Sequence, residues 1–294
     1  MRKLLKTLLG MTALLAHSVL FAASHNGYTT VDWAVAETLI ALGEPPLAVG
    51  DMQSYQTWVK QPELPKTTVN LGVRLQPNLE LIATLSHSAD DLNLVFINSN
   101  FYASLNNLLR PYAQVHNVDF YQAGDAWQNV LNATRTIGQI IGKPQAVQQL
   151  LAQYEQDVQR LKTELSAFTD RPLAFLQFID TRHLRIYGEN SLFGAVAKQL
   201  GFRNAYLSKV NYWGFQNIEI TELAKLPPNT HFVIVKPYPA NIASVLTHNT
   251  LWQHLPMTRD ALILPAVWSF GAIPSARRFA HVFADGLLHG GDAW

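Results

Sequence analysis

Arg74 and a set of aromatic side chains are the residues of this chain most suited to chemistry, and that chemistry is recognition. Arg74 stands in Asn70-Leu71-Gly72-Val73-Arg74-Leu75-Gln76-Pro77-Asn78-Leu79-Glu80, flanked by apolar residues and followed by Asn78 at a helix-capping position. An Arg on a short loop ahead of a helix presents a planar fork of donors to ligand oxygens. The same spacing also accommodates an exposed surface Arg. Trp213 lies in Asn211-Tyr212-Trp213-Gly214-Phe215 and Trp268 in Pro265-Ala266-Val267-Trp268-Ser269-Phe270-Gly271. Both stand near Gly in expected loops, which favours cleft walls over core. Trp33 and Trp252 fall inside helical patterns and read as core. Phe101 and Tyr102 follow the apolar run Asn93–Ile97. In open α/β sheets ligands gather at the carboxyl ends of strands, so aromatics there from both halves of the chain point to a cleft between two lobes.

Bond-breaking chemistry finds little support. G-x-x-x-x-G-K-[ST], G-x-S-x-G and a G-x-G-x-x-G after a strand are all missing. The chain has no Cys, which excludes disulfides, thiolate metal sites, iron–sulfur clusters and cysteine nucleophiles. Its ten His show no H-E-x-x-H or H-x-H spacing. His281 and His289 read as surface residues, and the neighbours Asp90 and Asp91 as a loop cap. With 22 Lys+Arg against 21 Asp+Glu, there is no basic footprint for nucleic acid. No nucleophile–base constellation emerges, so the chain reads as a non-enzyme.

The elements that must position these residues follow from periodicity. Residues 1–24 combine Arg2, Lys3 and Lys6, an apolar stretch from Leu8 to Phe21, and the small residues Ala22, Ala23 and Ser24. That is the pattern of a cleavable secretory signal peptide, the apolar run being short for a membrane anchor. Its three basic residues account for the marginally basic balance. From Lys143 to Phe168, apolar residues recur every three or four positions, which predicts one long helix joining two halves. Short apolar runs alternate with helical patterns on both sides, so each half reads as an α/β lobe with a largely parallel sheet. Expected strands are Pro46–Val49, Asn93–Ile97, Val115–Tyr121, Pro172–Ile179, Leu184–Tyr187, His231–Val235 and Ala261–Val267. Expected helices include Thr30–Leu42, Asn78–Leu85, Trp127–Ile141, Ser191–Leu200 and Ser275–Leu288. The division is a leader at 1–24, an N-terminal lobe at 25–142, a connecting helix at 143–168 and a C-terminal lobe at 169–294.

Taken in order, several stretches are familiar: Leu39-Ile40-Ala41-Leu42-Gly43, the Arg74 segment, Asp180-Thr181-Arg182-His183, Asn190-Ser191-Leu192-Phe193, Asn211-Tyr212-Trp213-Gly214, Leu251-Trp252-Gln253 and Pro265-Ala266-Val267-Trp268. The chain resembles the periplasmic ferric-hydroxamate (ferrichrome) binding proteins of ABC importers, the FhuD type, from about Thr30 to near the C-terminus. The resemblance implies two lobes on a rigid helical backbone, with a shallow aromatic cleft between them. It places a hydroxamate-binding Arg at Arg74, and ligand contacts at Phe101 or Tyr102, Trp213, Trp268 and Phe270. Where the family pattern has a Tyr, this chain has Phe101, with Tyr102 one residue later. The resemblance implies no resident cofactor, since iron arrives bound by its siderophore. It further implies periplasmic location, a monomer, and docking on an ABC permease through Glu80. In the C-terminal lobe the acidic docking position falls on Thr221, leaving Glu222 as its substitute. The other readings are a cobalamin or haem carrier on the same architecture, and a secreted α/β hydrolase.

Overall fold

The computed structural model describes residues 25–88 and 91–294. The expected signal peptide and Asp90 lie outside the described residues. The first half contains strands β1 (His25–Thr30), β2 (Ala48–Val49), β3 (Val69–Asn70), β4 (Leu92–Ser99) and β5 (Gln114–Val118). They form one sheet in the order β3-β2-β1-β4-β5, and every pairing is parallel. Helices α1 (Trp33–Ala41), α2 (Met52–Trp58), α3 (Leu79–Ser86), α4 (Asn106–Leu109) and α5 (Ala126–Ile140) connect and cover them. A parallel sheet is covered on both faces, which explains why β4 is buried from Leu94 to Ser99 rather than alternating.

A single helix, α6 (Pro144–Glu164), leads to the second half. Pro144 occupies its first turn, where a missing N–H costs nothing. Val147, Leu150, Tyr154, Val158 and Leu161 form its buried stripe. Its 21 residues span about 31 Å at 1.5 Å per residue. A short 3₁₀ turn at Ser166–Phe168 completes the segment expected to be helical.

The second half contains β6 (Leu173–Phe178), β7 (His183–Tyr187), β8 (Phe215–Glu219), β9 (His231–Val235) and β10 (Leu262–Leu264), in the order β10-β9-β6-β7-β8. Its helices are α7 (Leu192–Gln199), α8 (Ile242–Leu246), α9 (Thr250–His254) and α10 (Ile273–His289). Here β9 runs parallel to β6 and β10, but β6–β7 and β7–β8 are antiparallel. The cause is the link between β6 and β7. Asp180 Oδ1 accepts from the backbone N–H groups of Arg182 at 2.7 Å and His183 at 2.8 Å, tightening a turn too short for a parallel crossover. The molecule is therefore two α/β lobes of mostly parallel strands joined by a long helix, with one hairpin set into the second sheet.

Helix α10 packs against α6, α7 and α1, so it touches both lobes. On α6, Asp157 accepts from Arg277 Nε at 2.6 Å and pairs with His281 Nε2 at 2.9 Å. His281 is thus a part-buried tie between two helices, not the free surface residue expected from sequence. Burial pushes the Asp157 carboxyl up, but the hydrogen bonds and charges of His281 and Arg277 outweigh it and hold it at about 2. His289 is exposed as expected, against Asp285.

Candidate functional site

The carboxyl ends of all five strands of the first sheet deliver side chains to one cavity of about 400 Å³. Beyond β1 come Asp32 and Trp33, beyond β2 Asp51 and Ser54, beyond β3 Arg74, beyond β4 Phe101 and Tyr102, and beyond β5 Tyr121. The opposite wall comes from the second lobe: Arg185 on β7, Trp213 and Phe215 where β8 begins, and Trp268 and Phe270 after β10. The cleft expected from strand-end aromatics therefore lies between the lobes, where the topology of open α/β sheets places ligands.

Arg74 is held by its surroundings. Asn70 Oδ1 accepts from the Gly72 N–H at 3.1 Å, and Gly72 takes φ +78°, bending the loop as it leaves β3. Asn78 then caps α3 through the Leu81 N–H at 3.0 Å. The stem of Arg74 crosses the end of β2 at Gly50, where an added Cβ would come within 3.0 Å of Arg74 Cγ and 3.2 Å of Val31 Cα. Its guanidinium carbon lies 3.7 Å from the centroid of the Trp33 ring and 5.9 Å from that of Trp268. Trp33 is in turn fixed by donating from Nε1 to the Gly50 carbonyl at 2.9 Å. The result is a cation stacked on an indole, its plane set before any ligand arrives.

The acidic and phenolic neighbours of Arg74 are buried. Asp32 caps α1 by accepting from the Ala34 N–H at 2.8 Å. Burial raises its carboxyl, against the Ala34 hydrogen bond and the Arg74 charge. Burial also raises Tyr102 well above the ordinary phenol value, so its hydroxyl stays protonated beside Arg74. Tyr102 is 3% exposed and Phe101 48%. Both belong to a 3₁₀ turn, Asn100–Leu105, rather than to a strand. Their one-residue offset therefore does not send one of them to the far side of a sheet: both line the cavity, Tyr102 at its base and Phe101 at its rim.

An aromatic wall runs across the cleft. Ring centroids are 6.0 Å apart for Trp58–Trp268, 5.2 Å for Trp268–Phe270, 5.6 Å for Phe270–Trp213 and 5.4 Å for Trp213–Phe101. Tyr121 lies 4.6 Å from Trp213 and donates its hydroxyl to the Phe270 carbonyl at 2.6 Å, a bond between lobes. Gly214, at φ +83°, lets the Trp213 turn press against Asn190, whose carbonyl would lie 2.4 Å from any Cβ there.

All six residues singled out from sequence, Arg74, Phe101, Tyr102, Trp213, Trp268 and Phe270, line this one cavity. Trp252 is buried in the second lobe, as expected of a core residue. Trp33 is 2% exposed, yet it also forms the platform under Arg74, a role its helical spacing did not reveal. Asp32, Trp58, Tyr121, Arg185 and Phe215 were not anticipated. Glu80 and Glu222 lie outside the cavity. Glu80 is exposed in the first turn of α3, while Glu222 is paired with Lys225 at 2.7 Å. Among the described residues, no three His, Asp or Glu side chains gather as a metal-ligating group.

Residues 29–260 match the family model described as periplasmic binding protein. The chain belongs to that family. Among curated proteins it is 28% identical to the iron(3+)-hydroxamate-binding protein FhuD of Escherichia coli (strain K12), over 97% of this chain and 96% of that one. Among solved structures it is similar to the siderophore-binding protein FhuD of Vibrio cholerae bound to Fe3+-Desferal. That match has a TM-score of 0.82 and 26% identity, covering 90% of this chain and 98% of the other. The triscatecholate siderophore-binding protein FeuA of Bacillus subtilis shares the fold, with a TM-score of 0.67 at 16% identity, covering 90% of this chain and 93% of that one. Among the described residues of this family member, no helix is long and apolar enough to cross a membrane.

Proposed function

We propose that this chain is a periplasmic carrier that captures ferric hydroxamate siderophores and hands them to an ABC importer. The observation that carries this reading is the stacked Arg74 facing an aromatic wall built by both lobes. A ferric trihydroxamate is apolar around its rim, and its iron-bound oxygens are strongly polarised acceptors. Arg74 and the Tyr102 hydroxyl supply donors for those oxygens, while Trp213, Trp268, Phe270 and Phe101 cover the shell. Sites of this kind are mostly apolar with a few placed polar groups. The similarity to two hydroxamate-associated FhuD proteins supports the same ligand class.

Membership of the family supports the remaining parts of the reading. Iron comes and goes inside its ligand, the protein needs no resident cofactor, and it acts as a monomer without catalysing a reaction. Residues 1–24 are the export leader, 25–142 and 169–294 are the two lobes, and 143–168 is the strut between them. Glu80 docks the first lobe on the permease. Glu222 serves the second, and must leave Lys225 to do so.

Titration of the leader-free protein with ferrichrome and ferrioxamine, followed by Trp fluorescence, tests the ligand. Four of the seven Trp line the cavity, so saturable quenching is expected. Cyanocobalamin and haem serve as controls, and binding of either in place of both hydroxamates would overturn the ligand class. Docking is tested separately: Glu80→Lys should leave the titration unchanged and reduce uptake in a strain lacking the native carrier. Undiminished uptake would remove Glu80 from the docking surface.

A further inference from the structure

A second guanidinium reaches the cleft from the side opposite Arg74. Arg185 lies on β7, in register with Gln177 of β6 and Asn217 of β8. Its neighbours Leu184 and Ile186 are fully buried in the core of the second lobe. Alternation along the strand therefore turns Arg185 to the other face, where it lines the cavity. It is braced from behind. Gln177, 2% exposed, accepts through Oε1 from Arg185 Nη1 at 3.4 Å and from the Tyr187 hydroxyl at 2.9 Å. Gln177 Nε2 donates onward to the Pro237 carbonyl at 3.4 Å. The guanidinium carbon of Arg185 lies 5.1 Å from the centroid of Phe215 and 5.6 Å from that of Phe270.

Its polar accounts do not close. Arg185 Nε is buried and has no hydrogen-bond partner among the described residues. None of the ion pairs of Lys and Arg among those residues involves Arg185. Arg74 is situated differently, because the two carboxylates of the cavity, Asp32 and Asp51, come from its own lobe. An unpaired cation with a buried, unsatisfied donor is costly unless an anion meets it. The core of a ferric trihydroxamate is electrically neutral, since three singly charged hydroxamates balance the iron. It can engage the fork of Arg74, but it brings no net charge for a second one.

We propose that Arg185 forms an anion-reading subsite, so that the cleft selects ferric hydroxamates carrying a pendant carboxylate over neutral or cationic ones. The inference rests on the carrier reading above and adds the charge class of its ligand. Arg rather than Lys suits the task, since its planar fork meets both carboxylate oxygens while lying against Phe215 and Phe270.

Three ferric complexes on one linear trihydroxamate chain test it: the terminal amine left free, acetylated, or succinylated to expose a carboxylate. The wild-type protein should bind the succinylated complex about tenfold tighter than the acetylated one, the scale of one charge-assisted hydrogen bond, and the free amine most weakly. In Arg185→Gln the three affinities should converge. Arg185→Lys should keep the order with a smaller ratio. Should Arg185→Gln fail to fold, Arg185→Lys carries the test, its carboxylate preference falling below the wild-type ratio and weakening as salt rises. Equal wild-type binding of the succinylated and acetylated complexes overturns the subsite. So does a preference that survives intact in a folded Arg185→Gln, or one that ignores salt. Binding of none of the three overturns the subsite, and it overturns the carrier reading as well only where ferrichrome also fails to bind.

Discussion

Arg74 joins a fixed charge to a fixed plane, and the two can be separated by mutation. Arg74→Ala removes both and should weaken ferric hydroxamate binding by about 10–100-fold, the range expected for losing hydrogen bonds from a charged donor. Arg74→Lys restores the charge without the planar fork or its stacking on Trp33, so it should recover only a minor part of that loss. Quenching curves for the three proteins measure this, and a Lys variant indistinguishable from wild type would show that the plane is irrelevant. Residues like Arg74, Trp213 and Trp268 were legible in sequence because costly side chains stood beside Gly or Pro in segments with no periodic pattern. Arg185 was not legible. It occupies an ordinary alternating position of a strand, and only the hairpin through Asp180 and the register with Gln177 turn it toward the cleft. Trp33 was read correctly as core, but its second role was not legible: a helical apolar pattern reports burial, and the buried ring also supports Arg74. His281 carried no local signal, since Asp157, its partner, is 124 positions away.

At the scale of elements, helix α1 of the first lobe is bolted to the start of α10 by one buried carboxylate. Glu37 is fully buried and accepts from the Ala272 N–H and from Ser275 Oγ. Gly271 must be Gly here, since a Cβ would come within 2.7 Å of Glu37 Oε1. Burial pushes the Glu37 carboxyl up to about 8, although the Ser275 and Ala272 hydrogen bonds oppose the shift. In the unfolded chain it titrates near 4.5. Between those values the folded protein holds a proton that the unfolded chain has lost. Stability from this group is therefore full below pH 4.5, declines as pH rises toward 8, and is flat above. His231 works in the opposite sense, since burial lowers its folded value and so favours folding as pH rises. The clean observable is the difference between wild type and Glu37→Gln in melting temperature across pH 5 to 9. That difference should shrink or change sign as pH rises, and a pH-independent difference would show that Glu37 does not titrate in this window. The long elements, α5, α6 and α10, were readable because each carries several turns of apolar spacing. Strands β1 (His25–Thr30) and β8 (Phe215–Glu219) were not, because HNGYTT and FQNIE lack the apolar run that marks a strand. The first is buried as a central strand and the second is a polar edge, so pairing rather than hydrophobicity defines them.

At the scale of the whole molecule, two sheets do not make two independent units. One continuous core takes Tyr28, Val35 and Ile137 from the first lobe and Phe175, Tyr187 and Val233 from the second. It passes through Tyr154 and Val158 of α6 and Phe279 and Phe283 of α10. Polar ties cross the same boundary. Tyr121 reaches the Phe270 carbonyl, and Asn190 accepts from the Ala126 N–H at 2.8 Å while donating to the Gly124 carbonyl at 3.0 Å. Swinging the lobes apart would break these bonds and expose apolar surface at about 25 cal/mol per Å². The ligand must then enter without a large hinge motion, through the rim where Phe101 is 48% exposed. Two outcomes follow. Thermal unfolding should be a single cooperative transition that ligand shifts as a whole, because binding to the folded state stabilises everything coupled to it. Small-angle scattering should give the same radius of gyration with and without ferric hydroxamate, near the roughly 18 Å expected of a compact chain of this size. Two separated unfolding steps with only one moved by ligand would mean that the shared core does not couple the lobes. A clear contraction on binding would mean that the ties at Tyr121 and Asn190 open in the free protein, making capture an event of lobe closure rather than of side chains at the rim.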